Sequence, residues 1–250
     1  MKLKLIACEV LYREICLAVA RSPETVDVEF LPKGLHDMGG KLMSAKLQEA
    51  VHRVPAHQYE AILLGYGLCG NGLEGIEACH TPIVAPRMHD CIGLLMGGRQ
   101  RYESYFKDHA GTYYRSTGWI ERGVDLQQLV PFHSGTSTNL AELVEKYGDD
   151  NGRYLYEQFT SFQSHYRRLT FIETGVECDD RYEKQARQEA ESKGWTFEKL
   201  KGDLGLIQRL VNRDWNNDDF LVLCPGQRIV PQYDDTIIRA DSIGPVTAQE

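Results

Sequence analysis

The stretch AILLGYGLCGNG, Ala61–Gly72, decides the fold of this chain. Its first five residues are uninterrupted apolar sequence, which predicts a buried strand. Glycines at positions 67, 70 and 72 then predict a tight turn where the strand ends. Because glycine lets the backbone approach a ligand closely, we expect this turn to present Cys69 at a functional edge of the fold.

Strand and helix patterns alternate on both sides of this stretch. Further strands are predicted at Leu3–Cys8, Val26–Leu31 and Thr81–Ala85, with helical spacing of apolar residues between them. Such alternation is typical of βαβ units. The sequence therefore predicts an α/β fold with a parallel, Rossmann-like sheet.

A second group of strand patterns follows in the other half of the chain, at Leu169–Glu173, Trp195–Leu200 and Phe220–Leu223. Because this group repeats the strand and helix alternation of the first group, it predicts two similar halves with a cleft between them. The polar, glycine-containing loop 147–152 is the predicted boundary. We expect a first α/β unit over residues 1–147, which carries the Cys/His cluster. Residues 148–250 then form a helical connection, a second α/β unit and a tail.

Composition and net charge exclude several classes of protein and of partner. The net charge of −8 argues against nucleic acid or an anionic membrane as a partner, since both favour a basic face. No apolar run approaches the ~20 residues of a membrane span, and the apolar part of the N-terminus is short for a signal peptide. The seven cysteines show no disulfide spacing. We expect a cytoplasmic protein whose cysteines are thiols or metal ligands, acting on a small molecule.

Soft ligands follow three of the predicted strands. Cys8 ends the first strand, Cys69 follows the third, and His89 and Cys91 follow the fourth. Carboxyl ends of neighbouring parallel strands share one edge of a sheet, and imidazole with thiolate suits zinc. We therefore expect Zn²⁺ held by Cys69, His89 and Cys91, with Cys8 as fourth ligand or neighbour. An iron–sulfur cluster is the variant with more thiolate ligands.

The same residues support other interpretations. Asp90 can cap a helix that starts at Cys91, which leaves His89 on the surface. Cys69 at a helix N-terminus would have a lowered pKa and be reactive. Paired across a cleft with Cys224, it would suit a metal-free, two-cysteine racemase. A non-catalytic corrinoid or metal accessory protein is the third hypothesis.

Four further side chains are candidates for substrate binding. Arg87 has the chemistry to hold a carboxylate or phosphate, and Arg13 follows Cys8 closely enough to orient a ligand. Tyr113 and Tyr114 are candidate hydrogen-bond donors in a pocket. The ordinary alternatives are surface ion pairs for the arginines and packed strand aromatics for the tyrosines.

Four segments in combination, Ala7–Glu14, Gly65–Gly72, Arg87–Ile92 and Gly111–Trp119, carry a resemblance. They resemble a bacterial and archaeal domain-of-unknown-function family whose members occur with corrinoid-dependent methyltransferase systems. The resemblance covers roughly residues 1–225. The resemblance implies one-carbon or methylamine-type metabolism, with a corrinoid cofactor or a corrinoid protein as partner. An open zinc site would activate a thiol or water, in the manner of a methyltransferase or hydrolase. Together these lead us to expect a methyltransferase acting on a thiol or a small methylated compound.

The His-x-Cys pair at positions 89 and 91 also resembles part of the zinc site of cobamide-dependent thiol methyltransferases. Those enzymes are barrels built from eight strand–helix repeats. The sequence of this chain does not show such an eight-fold repeat, so the barrel fold is not expected here.

Overall fold

The structure, a computed structural model, describes residues 1–37, 39–122, 140–160 and 165–243. The chain forms two compact units. Unit 1 contains residues 1–102 and 203–250, and unit 2 contains residues 103–202. The boundary expected between residues 147 and 148 lies inside unit 2. There Gly148, with a φ of 83°, turns the chain between two helices.

Unit 1 is built around a five-stranded sheet. Its strands and helices, in chain order, are β1 Lys2–Cys8, α1 Tyr12–Ala20, β2 Thr25–Leu31, α2 Gly34–Asp37, α3 Gly40–His52, β3 Ala61–Gly65, β4 Ile83–Pro86, α4 Cys91–Leu95 and α5 Arg99–Asp108, which runs on into unit 2. After unit 2 the chain returns with α10 Gly205–Val211, β8 Phe220–Leu223, β9 Gln227–Pro231 and β10 Ile238–Ser242.

The sheet order in unit 1 is β2-β1-β3-β4-β8. The first four strands are parallel, which confirms the predicted Rossmann-like α/β fold. All five residues of β3 are buried, as its continuous apolar sequence requires of a strand covered on both faces. Helix α3 buries Met43, Leu47, Ala50 and Val51, which share one face because they recur at helical spacing.

The second half of the chain is not a copy of the first. In unit 2, β5 (Thr112–Ser116), β6 (Arg168–Glu173) and β7 (Thr196–Lys201) form a parallel sheet of order β5-β6-β7. The third strand of the expected repeat, β8, instead joins the unit 1 sheet and pairs antiparallel with β4. An apolar strand pattern carries no information about its partner or direction, which is why the sequence suggested a duplication.

The helices of unit 2 are α6 Thr117–Glu121, α7 Leu140–Tyr147, α8 Asp149–Thr160 and α9 Arg181–Ser192. Helices α7 and α8 pack closely, since a Cβ on Gly152 would come within 2.6 Å of the Val144 backbone. Leu169 and Phe171 of β6 form a small core with Ala186 and Ala190 of α9. Across the described parts of both units, no helix is long and apolar enough to cross a membrane.

Candidate functional site

The strand order of unit 1 reverses between β1 and β3. From β1 the chain adds β2 on one side and β3 and β4 on the other. In open α/β sheets such a reversal opens a crevice beyond the carboxyl ends of the two strands, and ligands bind there. Cys8 ends β1 and Tyr66 follows β3, so both lie at the reversal.

The turn after β3 is fixed against the segment that follows β4. The Leu68 N–H donates to the Met88 carbonyl over 2.8 Å, and the Cys69 N–H donates to the His89 carbonyl over 2.7 Å. Gly67 lies so close that a Cβ there would be 2.6 Å from the Asp90 Cα. The two segments therefore hold Cys69 and Cys91 at one edge of the sheet.

Burial divides the seven cysteines into two groups. Cys8, Cys69 and Cys91 are buried, with 8%, 7% and 4% exposure, and are called the thiol cluster below. The remaining cysteines are exposed: Cys16, Cys79, Cys178 and Cys224. Cys8 ends β1, Cys69 lies in the turn after β3, and Cys91 starts the helix after β4, so the three buried thiols lie at the carboxyl edge of adjacent parallel strands. Free cysteine is also an ordinary small core residue, so burial alone does not assign a role to them.

The environment of Cys69 differs from the sequence-based expectation. Burial, with smaller contributions from the charges of Asp90 and Cys8, raises the pKa of Cys69 from its ordinary 9.0 to about 12. The backbone dipoles at Gly67 and Cys91 lower this pKa and offset part of the rise. The expected lowered pKa was wrong because Cys69 starts a turn rather than a helix, and burial outweighs the amide dipoles.

Backbone strain is concentrated in the same turn. Cys69, Gly70 and Asn71 have consecutive φ values of 47°, 65° and 68°. A non-glycine residue in this left-handed region costs roughly 1–2 kcal/mol. Strain of this kind persists only where the surrounding structure enforces it, and it is frequent at ligand sites.

The arrangement around His89 matches the capping interpretation. The Asp90 carboxylate accepts hydrogen bonds from the N–H groups of Ile92 and Gly93, at 2.9 and 3.2 Å, and so caps α4. The His89 side chain is exposed, and its carbonyl is the group that meets the Cys69 turn. Across the residues that the structure describes, no three His, Cys, Asp or Glu side chains are placed to hold a metal ion together.

Cys224 lies at the opposite edge of the sheet. Because β8 runs antiparallel to β4, its last residue Leu223 pairs with Ile83, the first residue of β4. Cys224 therefore follows the amino edge of the parallel strands, while Cys69 follows the carboxyl edge, about 13 Å of strand away. The two cysteines do not face each other within this chain, so the racemase arrangement finds no support in this geometry.

A cavity of about 580 Å³ opens at the same carboxyl edge as the thiol cluster. Helix α4, about 7.5 Å long, runs from Cys91 towards it, and residues 96–101 and 217–219 form much of the lining. Gly97 and Gly98, with φ values of 86° and 144°, separate α4 from α5. The lining mixes arginines with aspartates and suits a small polar molecule rather than an apolar one.

Arg87 lines this cavity, but its guanidinium also holds the chain together. Its Nε donates to the Asn217 carbonyl over 2.8 Å, and its Nη1 donates to the carbonyls of Thr236 and Ile238. These bonds fasten the loop before β8 and the start of β10 to the end of β4.

The other predicted substrate-binding residues lie elsewhere. Arg13 is a half-buried residue of α1. Tyr113 and Tyr114 lie on β5 in unit 2, where the Tyr113 ring packs 5.3 Å from Tyr166 and 5.8 Å from Trp195. Tyr113 therefore matches the ordinary alternative to substrate binding, an aromatic side chain packed on a strand.

Two residues of the carboxyl edge were missed by sequence reasoning. Tyr66 directly follows β3 and is buried, and Lys33 follows β2 and is also buried, with its N–H donating to the Glu9 carboxylate over 2.7 Å. Fully buried lysine is rare in proteins. Their position in the sequence could have identified them, because both residues come within two places of the end of a predicted strand.

A protein-family model matches most of the chain. Residues 30–211 match the sequence model of the family described as "Protein of unknown function (DUF1638)". No curated protein and no solved structure matches the chain. The matched segment contains β3, the Cys69 turn and β4, and spans more than half of the sequence. The chain therefore belongs to the DUF1638 family.

Proposed function

We propose that unit 1 binds a soft metal ion, Zn²⁺ foremost, through the thiol cluster at the carboxyl edge of its sheet. The observation that carries the proposal is the division of the cysteines. The three at the carboxyl edge of the adjacent parallel strands β1, β3 and β4 are buried, and the other four are exposed. Thiolates are the preferred protein ligands of zinc and other soft metals. His89, with its exposed side chain, is not part of this ligand set.

Zinc binding would require the thiols to turn, since no three ligands are placed for an ion among the described residues. A cysteine thiol moves among three staggered positions by rotation about a single bond. The cost of such a change is small beside the binding free energy of a thiolate zinc site, about 10–16 kcal/mol. The raised pKa of Cys69 fits this scheme, because a directly bonded cation is what offsets the cost of a buried thiolate.

The experiment is metal analysis of the purified, reduced protein, followed by titration with Zn²⁺. We expect stoichiometric zinc in the wild-type protein and its loss in Cys69→Ser and Cys8→Ser. The matched control is Cys79→Ser, which removes an exposed thiol and should leave the zinc content unchanged. A folded wild-type protein that takes up no zinc refutes the proposal. Bound iron and sulfide with a brown colour would replace zinc by an iron–sulfur cluster.

The finer proposal is a role in corrinoid-dependent one-carbon metabolism, as a methyltransferase acting on a thiol or a small methylated compound. It is supported by the resemblance of the four segments and by the polar cavity at the far end of α4 from Cys91. Incubation with a methylated cobamide and a thiol tests it, with methyl thioether formation as the expected result. Tight binding of metal or cobamide without turnover would instead favour the non-catalytic accessory protein.

A further inference from the structure

The guanidinium of Arg87 lines the 580 Å³ cavity of unit 1 and pairs with no carboxylate among the residues that the structure describes. Its Nε and Nη1 donate only to backbone carbonyls, which carry no net charge, and Nη2 donates to none of the described residues. Burial lowers the pKa of Arg87 and outweighs the opposing charges of the exposed Asp218 and Asp234. The positive charge is therefore left without a counterion beside the cavity.

A second guanidinium, that of Arg99, is held at the neighbouring carbonyl group. Arg99 Nη1 donates to the Asp235 carbonyl, and Arg87 Nη1 donates to the Thr236 carbonyl over 2.9 Å. Asp235 and Thr236 are consecutive, with Cα atoms about 3.8 Å apart. The turn between β9 and β10 thus brings two like charges together at the cavity, and an anion bound to both would relieve their repulsion.

The aspartates of the cavity lining leave this arginine pair largely uncompensated. Asp219 forms an ion pair with Arg209 at 2.8 Å, and Asp203 accepts an N–H bond at the start of α10 over 2.7 Å. Asp235 approaches Arg99 to 3.5 Å, but its side chain is 93% exposed, so water screens this contact.

We propose that the cavity binds a small polar molecule by its carboxylate or phosphate group, which Arg87 and Arg99 hold together. A guanidinium matches the oxygens of either group with parallel N–H donors, and such charged hydrogen bonds are about twice as strong as neutral ones. The positive end of the α5 dipole, at Arg99, adds to the same field. The volume leaves room for the rest of the molecule, since small-molecule sites measure about 300–1,000 Å³. The site is separate from the thiol cluster, because α4 runs from Cys91 to the cavity, and it requires no metal ion.

Calorimetric titration with two probes, inorganic phosphate and succinate, tests the proposal. We expect wild type to bind one equivalent of at least one probe, with an affinity that weakens as NaCl is added. Preference for succinate identifies a carboxylate ligand, and preference for phosphate identifies a phosphate ester. Arg99→Gln removes the charge but keeps an N–H donor, and its affinity should fall about 10-fold or more. Arg181→Gln, at an exposed arginine outside the cavity, is the matched control.

Chemical modification locates the site without any substitution. Phenylglyoxal reacts with accessible guanidinium groups, and the bound probe should slow the modification of Arg99 but not that of Arg181, as measured by peptide mass spectrometry. Wild type that binds neither probe refutes the proposal, and so does equal protection of the two arginines or unchanged affinity in Arg99→Gln. Cys69→Ser should bind the probe as wild type does, so failure of the metal site and failure of this site are distinguishable.

Discussion

The raised pKa of Cys69 predicts that this thiol makes the protein less stable in alkali. Between about pH 9 and 12 the unfolded thiol ionises while the buried one stays protonated, so the folded state binds more protons and the free energy of unfolding falls as pH rises. At pH 10.5 the unfolded group is 1.5 pH units above its pKa of 9.0, which corresponds to a loss of about 2 kcal/mol. The loss approaches about 4 kcal/mol above pH 12.

Urea unfolding of wild type and Cys69→Ser, with chelator and reductant present, tests this prediction. The stability difference between the two proteins isolates Cys69, because the other titrating groups are common to both. We expect the difference to shift by about 2 kcal/mol in favour of the variant between pH 8 and pH 10.5. Cys224→Ser controls for the loss of an exposed thiol. A difference between wild type and Cys69→Ser that does not change with pH would refute the assignment of Cys69 as a buried, neutral thiol.

Three further changes test the packing of the two units. Asp90→Ala removes the cap of α4 and should lower the free energy of unfolding by about 1 kcal/mol, and an unchanged urea midpoint would contradict the capping role. Glu189→Ala leaves the buried guanidinium of Arg115 without its two-bond partner, at 2.8 and 3.0 Å, and should cost about 3–5 kcal/mol in chemical unfolding. Gly67→Ala forces a methyl group against backbone and should cost about 1–3 kcal/mol, whereas Gly34→Ala, with open space around it, is the control; equal melting temperatures for the two variants would refute the close contact.

The strands and their burial could be predicted from the sequence because they depend on local pattern. The apolar run of β3 is buried throughout, and the predicted strands β1, β2, β6, β7 and β8 all exist with ends shifted by a residue or two at most. The Asp90 cap is local as well, since it involves only the next three residues. Such features follow from side-chain periodicity and short-range hydrogen bonding.

The pairing of strands that are distant in the chain could not be predicted from the sequence. β8 carries an ordinary strand pattern, and only the tertiary structure decides that it closes the first sheet antiparallel to β4. That single pairing moves Cys224 to the edge opposite Cys69 and removes the symmetry of the two halves. The chain forms unit 2 from residues 103–202 and then returns to unit 1, and no local sequence pattern predicts this return.

By itself, the sequence determined an α/β chain with cysteines at the ends of parallel strands, because strand pattern and strand-end position are local properties. Only the tertiary structure decided which cysteines are buried, that His89 is exposed, and that burial raises the pKa of the Cys69 thiol. Burial and pKa depend on what surrounds a group in space. That environment is assembled from β1, the turn after β3 and the segment after β4, which are separated by up to about 80 residues of chain.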